Sequence, residues 1–468
     1  MAGPLDIPKS DRYLNPTSAD RLIGPFQRFM KFEASGGIFL ILCALGAVLW
    51  ANSGYASSYN ELFHNTEVQI GFGEWGLKKA FILWINDLLM ALFFLLVGLE
   101  IKREVLVGEL RSPKKAALPI AAALGGMIVP AAVYAIVNRG NESISGWGVP
   151  MATDIAFALG VLALVGSRVP LSVRIFLTSL AIVDDLGALL VIAVFYTESI
   201  GFGYLMKAGV VLTVMLGLNL MGVRKIVVFL MLGMVVWYLV LKSGVHATIA
   251  GVLVAMTIPA RTRVDQNLYS SFVRSMVDRF DQDKSNDTKA WTTVSQQTAI
   301  LAIEDAGHKI ETPVRRLEHI LIPWVAFAIL PVFALANAGV RVIGSGGDEV
   351  AEGAIDSVWS SQALWGVVLG LLIGKPLGVF GFAWIAQKLG IGVLPEGATW
   401  RHVFGAAWLS AIGFTMALFI ANLAFQDADD LDAAKIGVLG ASIVAGFIGF
   451  LILFTSKHDD RPPKHSSD

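Results

Sequence analysis

This chain of 468 residues is poor in charge and in cysteine. Only 16% of its residues are charged, against about 25% in soluble domains, and that excludes an ordinary water-exposed globule. The formal net charge is −1, so there is no broad basic surface of the kind that binds nucleic acid. The single cysteine, Cys43, excludes a disulfide within the chain and any cysteine-based metal site. No HExxH is present, and no GxGD surrounds the acidic residues described below. The first 31 residues are polar, with scattered prolines and no short apolar core ahead of a small-residue cleavage site. No signal peptide is expected there.

What fills the chain is apolar: 55% hydrophobic residues and a mean hydropathy of +0.66. Apolar runs near 20 residues, each long enough to cross a bilayer, lie at about 32–52, 81–101, 116–137, 148–166, 171–196, 203–222, 225–242, 246–260, 319–340, 361–385, 401–426 and 433–455. The reading is an all-α polytopic membrane protein of about twelve spans embedded in lipid. Basic residues gather in the even-numbered connections: Lys102, Arg103, Arg111, Lys114, Lys115, Arg168, Arg174, Arg224, Lys225, Lys388 and Arg401. The odd-numbered ones are acidic or neutral, as at Asp348, Glu349, Glu352 and Asp356, and again at Asp427, Asp429, Asp430 and Asp432. Positive charge stays on the cytoplasmic side, which places both termini there.

The domain organisation follows. Residues 1–31 form a cytoplasmic segment, and 32–260 hold spans one to eight. Within them, 53–79 is an external loop or hairpin, where Val68, Ile70 and Phe72 alternate with Glu67, Gln69 and Gly71 as in a short strand. Residues 261–318 are a long cytoplasmic insertion. The helical spacing of Leu268, Phe272, Met276, Val277 and Phe280, and of Ile300, Ile303 and Ile310, predicts two amphipathic helices there. Spans nine to twelve occupy 319–455, and 456–468 is a polar tail.

Two adjacent aspartates, Asp184 and Asp185, fall halfway along the fifth run. A single charge at that depth costs about 2.5–3.5 kcal/mol on insertion scales. Two carboxylates side by side repel, so both ionise only when a cation joins them. The pair therefore points to holding protons or a small metal ion, with Asp184 and Asp185 as ligands for Na⁺ or Li⁺. The structural alternative is a pair that only ties helices together. Asp154, after Thr153 in span four, is flanked by Gly146, Gly148, Pro150 and Gly160, residues that break a helix. Asp154 would offset the positive helix ends that such a break aims into the bilayer. Capping of freed amides by Thr153 or Asp154 is compatible with that role.

Lys375, within GLLIGKPLG in span ten, is the cationic counterpart. It lies too deep to snorkel, so an interior partner is expected. Glu100, Lys102, Arg103 and Glu104 at the end of span two, and Glu318 and His319 at the start of span nine, read either as interfacial charges or as a group that collects protons and senses pH. His246 reads first as a hydrogen-bonding structural histidine. A short echo, TDIAFAL at 153–159 against SAIGFTM at 410–416, falls in spans of opposite direction, as an inverted repeat would place it.

With these residues assembled, the chain resembles the NhaA-type family of bacterial sodium/proton antiporters from about residue 30 to 455. The resemblance is carried by FFLLVGLEIKRE at 93–104, ATDIAFALGVLALVGSRVP at 152–170, LAIVDDLGALL at 180–190, KSGVHATIAGV at 242–252, LPVFALANAGV at 330–340, IGKPLG at 373–378 and IGFTMALFI at 412–420. It implies an inverted repeat with two discontinuous helices crossing at midplane, formed by the stretch at Thr153 and Asp154 and by Ile412 to Thr415. Asp184 and Asp185 become the cation- and proton-binding carboxylates, with Asp185 the more direct ligand, and Lys375 faces them and the crossing. Glu100, Glu104, His246, Glu318 and His319 fall on positions linked to pH response, and 53–79 coincides with a dimer-forming hairpin. The implied activity is electrogenic, pH-regulated exchange of cytoplasmic Na⁺ or Li⁺ for external protons across the bacterial inner membrane. It needs no cofactor and is carried out by a transporter, not an enzyme. The insertion departs from the shorter relatives, and residue 322 is Ile where some carry a further His. The rivals are a passive cation channel, an intramembrane aspartyl protease, whose acids would come from two helices, and a retinal pigment on Lys375, which twelve spans and Pro376 argue against.

Overall fold

A computed structural model describes residues 35–71, 77–197, 200–261, 266–282, 293–340 and 359–456. The segment 1–31, the tail 457–468 and the acidic positions 348–356 lie outside the described residues. The protein is mostly helical because helices satisfy every backbone polar group internally, as a lipid environment requires. In chain order the elements are α1 (Ser35–Ala51), α2 (Ala56–Asn65), β1 (Glu67–Ile70), β2 (Leu77–Ala80), α3 (Phe81–Val107), α4 (Pro113–Val137), a 3₁₀ stretch (Glu142–Met151), α5 (Ile155–Val165), α6 (Leu171–Phe195), α7 (Phe202–Leu220), α8 (Ile226–Lys242), α9 (Ile249–Thr257), α10 (Gln266–Gln282), α11 (Val294–Ile310), α12 (Pro313–Asn337), α13 (Gln362–Lys388), α14 (Trp400–Ser410), α15 (Phe414–Ala424) and α16 (Ala428–Phe454). Among the described residues seven helices are long and apolar enough to cross a membrane, or up to ten if each bent pair counts as one. The chain is thus a polytopic helical membrane protein.

Between α1 and α2 the chain turns by 119°. Tyr59 on α2 is buried, and its hydroxyl donates to the carbonyls of Leu335 (2.9 Å) and Ala336 (2.8 Å) at the end of α12. The strand expected from the alternation is β1, which pairs antiparallel with β2, Glu67 opposite Ala80 and Ile70 opposite Leu77. Ile70 is exposed while its cross-strand partner Leu77 is buried, and Phe72 lies outside the described residues. In the insertion, α10 and α11 occupy the two stretches with helical spacing. The junction at 283–292 lies outside the described residues.

Three predicted boundaries are corrected. Span eight was expected over 246–260, but its helix is only Ile249–Thr257. The residues before it form a turn, in which Gly244 takes φ +79° and the Ser243 hydroxyl donates to Val240 O. The helix that carries span nine starts at 313, ahead of the apolar run at 319, because Thr312 caps it by accepting from Arg315 N and Pro313 fits the first turn. The last helix starts at 428 instead of 433, capped by Asp427, which accepts from Asp430 N.

Helices α4 and α13 pack backbone against backbone. A Cβ on Gly125 would lie 2.2 Å from Gly378 O, and one on Gly378 would lie 2.1 Å from Gly125 O. Only glycine permits this approach, the small-residue packing favoured between membrane helices. It brings Lys375 of α13 deep into the molecule, beside the middle of α6.

Candidate ion-binding site

Two helix breaks frame the site. The 3₁₀ stretch ends at Met151, Ala152 to Asp154 run extended, and α5 starts at Ile155 after a 42° bend. α14 ends at Ser410 and α15 starts at Phe414 after a 43° bend. Each break leaves amides and carbonyls without helical partners, and the two breaks supply partners for each other. Asp154 N donates to Ile412 O at 2.7 Å, and Thr153 Oγ1 donates to Ser410 O at 2.8 Å. Asp154 Oδ1 accepts from Phe157 N at 3.0 Å, which caps α5. Its Oδ2 accepts from Thr415 N at 3.0 Å and from Thr415 Oγ1 at 2.5 Å. One carboxylate thus sits against the starts of both α5 and α15. Phe414 N finds Ser442 Oγ on α16 at 3.2 Å.

The carboxylate pair lies beside these breaks. Asp184 and Asp185 are 1% and 2% exposed, and Lys375 is 0% exposed. A widened turn, Gly370–Gly374, and the proline at 376 bracket the lysine. Its Nζ donates to Asp184 Oδ2 at 2.6 Å and also to Met151 O, the last carbonyl before the first break. The interior partner expected for Lys375 is therefore double: one aspartate and the negative end of a helical segment. Consecutive helical residues point about 100° apart, so Asp185 does not share the lysine's position. Among the described residues, Asp184 Oδ1 and Asp185 Oδ1 are buried and accept no hydrogen bond. Carboxylate oxygens left bare in a dry interior are costly, and a proton or a small cation relieves that cost.

The other candidates make no hydrogen bond to Asp184, Asp185 or Lys375 among the described residues. Glu104 Oε2 accepts from Glu109 N, and Arg103 bridges Glu104 to the buried Glu318. Glu100 is half-buried on the same end of α3. His319 is exposed while Glu318 is buried, so the two neighbours face different surroundings. His246 lies toward the hairpin end, where Nδ1 meets Thr248 Oγ1 at 2.9 Å and the ring packs edge-on to Phe419 at 5.1 Å. Sequence reasoning did not find the carbonyls of Met151 and Ser410, nor Ser442. Backbone acceptors leave no mark in a sequence, and a serine in an apolar run is unremarkable.

Buried acids, a buried lysine and paired helix breaks lie together inside a bundle of apolar helices, an arrangement in keeping with the class of membrane proteins that handle protons or small cations. Comparison with known proteins gives the rest. Residues 27–453 match the family described as Na+/H+ antiporter 1. The chain is 50% identical over 449 residues to "Na(+)/H(+) antiporter NhaA" of Oleidesulfovibrio alaskensis, covering 96% of this chain and 98% of that protein. It is 47% identical to a protein of the same name from Koribacter versatilis, with 92% of each covered. A third, from Wolinella succinogenes, is 44% identical, covering 91% of this chain and 92% of the relative. The chain belongs to the Na+/H+ antiporter 1 family.

Proposed function

We propose that this protein is a secondary transporter that exports Na⁺ or Li⁺ in exchange for protons, with Asp184 and Asp185 as the shared binding groups. The observation that carries this reading is the bare Oδ1 of Asp185, buried beside an Asp184–Lys375 pair. Proton and alkali ion compete for oxygens of this kind, since hard cations take oxygen ligands and a carboxylate holds one charge at a time. Thr153, Asp154 and Lys375 compensate the helix ends, and the two breaks form the midplane crossing of an inverted repeat. Asp154 already accepts three hydrogen bonds, which suits it to pinning the crossing more than to holding cargo.

The full reading has twelve spans in the bacterial inner membrane, with both termini cytoplasmic and the 53–79 hairpin outside, where it serves a homodimer. Transport is electrogenic, with more protons entering than sodium leaving. Exchange falls at low pH, where protons hold the carboxylates, and rises as pH removes them. Glu100, Glu104, His246, Glu318 and His319 tune that response, and the 261–318 insertion acts as a cytoplasmic regulatory element joined to α12 ahead of Glu318.

The test is ΔpH-driven exchange in proteoliposomes, with Na⁺, Li⁺ and K⁺ supplied in turn. Sodium and lithium are expected to dissipate the pH gradient, and Asp185→Asn is expected to abolish the effect. Exchange that survives Asp185→Asn refutes the assignment. Sodium flux with no accompanying proton movement would make the protein a passive channel.

A further inference from the structure

Three asparagine side chains meet near the hairpin end of the bundle, away from the charged groups already described. Asn337 ends α12 and is 0% exposed. Its Nδ2 donates to Asn86 Oδ1 (2.9 Å) and to Phe333 O (2.9 Å). Its Oδ1 accepts from Asn86 Nδ2 (3.2 Å) and from Asn422 Nδ2 (3.1 Å). All four bonding positions of this amide are filled. Asn86 lies in a widened turn of α3, Ile85–Leu89, and Asn422 lies in the last turn of α15. The Asn422 amide also donates to Leu418 O at 2.8 Å.

Beneath the amides the packing is aromatic. Phe419 of α15 meets Phe94 of α3 at 6.2 Å and Phe333 of α12 at 6.1 Å, each ring 1% exposed or less. On the other side of this layer α3 carries Glu100, Lys102, Arg103 and Glu104. α3 thus carries an amide and aromatic rings toward the hairpin end and charged groups toward the other.

We propose that the Asn337–Asn422 hydrogen bond is the latch of the outer gate. This rests on the antiport reading above, in which the carboxylates must open in turn to both sides. α15 is the mobile partner. Its first turn is pinned to Asp154 through Thr415, and its last turn is pinned to α12 through Asn422. Seven helical residues, about 10 Å, separate the two attachments. Movement at the helix crossing is thereby transmitted to the latch. The bond has two stable conditions. In the closed gate the amides satisfy each other in apolar surroundings; in the open gate water satisfies them instead. An amide left with neither is disfavoured, so parting of the latch and entry of water occur together. Asn86 bonds only to the Asn337 side of the gate, so it positions Asn337 and does not itself span the opening.

The test uses the full chain in sealed proteoliposomes, on a Cys43→Ser background with Leu418→Cys as reporter. Leu418 is buried, one turn below Asn422 on the same face. Labelling by a membrane-impermeant methanethiosulfonate from the hairpin side reads how often the gate opens. Loss of one net amide hydrogen bond predicts labelling about three- to tenfold faster in Asn422→Ala. Asn422→Gln, which retains an amide donor, is expected to restore much of the closed behaviour. Asn86→Ala is expected to change the rate less than about twofold, because the cross-gate bond survives. An unchanged rate in Asn422→Ala overturns the proposal. So does an equal increase in Asn86→Ala, which would mark general loosening. Ala421→Cys provides a second reporter if the first folds poorly. The same vesicles are assayed separately for ΔpH-driven sodium exchange. Exchange missing from the unmodified chain would refute the transport reading, whereas the labelling ratio decides the latch.

Discussion

Replacing Lys375 by methionine removes one charge while keeping nearly the same length of side chain. The ammonium is fully buried and serves two acceptors, Asp184 Oδ2 and Met151 O. Its loss has two parts. Met151 O is left without its donor, which costs about 1–3 kcal/mol at any pH. Asp184 is left as an uncompensated buried anion, which costs about 3–5 kcal/mol while it stays ionised. A proton can take the lysine's place on Asp184, and that relief is available only at low pH. In the variant the proton is held more firmly in the folded than in the unfolded chain, so its stabilising effect is present at acid pH and is lost as pH rises. Each pH unit over which this proton is held is worth about 1.4 kcal/mol. Thermal unfolding of parent and variant in detergent, at pH 5 and at pH 8.5, reads both parts. The variant is expected to melt several degrees below the parent at pH 5 and to fall further behind at pH 8.5. An identical deficit at both pH values would refute the claim that the lysine offsets the charge of Asp184.

Two further outcomes follow from the same geometry. Thr415→Val removes the hydroxyl that donates to Asp154 Oδ2 at 2.5 Å but leaves the Thr415 amide bond in place. The expected loss is about 1.5–3 kcal/mol, the range for a hydrogen bond to a charged group, with slower exchange in the proteoliposome assay; unchanged stability would show that Asp154 does not depend on it. Tyr59→Phe removes the hydroxyl shared by Leu335 O and Ala336 O. It is expected to cost about 1–3 kcal/mol of thermal stability with little effect on exchange, since it touches neither carboxylate nor crossing.

Charge made much of the site legible. Asp154, Asp184, Asp185 and Lys375 stand out because each interrupts an apolar run, and the structure gathers Asp184 with Lys375 and Asp154 with the second break. Which residue answers which was not legible in the residues themselves and came only from the family resemblance. Thr415 lies 261 residues from Asp154, and no local pattern pairs them. The amides of Asn86, Asn337 and Asn422 escaped notice because a neutral side chain barely disturbs the hydropathy of its segment. Boundaries failed where capping and turn chemistry outweighed hydropathy. The Thr312–Pro313 signal was present in the sequence but sits among polar residues, where an apolar run is not sought.

The bare-backbone contact between Gly125 and Gly378 restricts how this molecule can change shape. No Cβ separates the two backbones at this point, and Val129, Val379 and Phe382 crowd the space beside it. A side chain larger than hydrogen at either glycine would wedge α4 from α13 and draw Lys375 off Asp184.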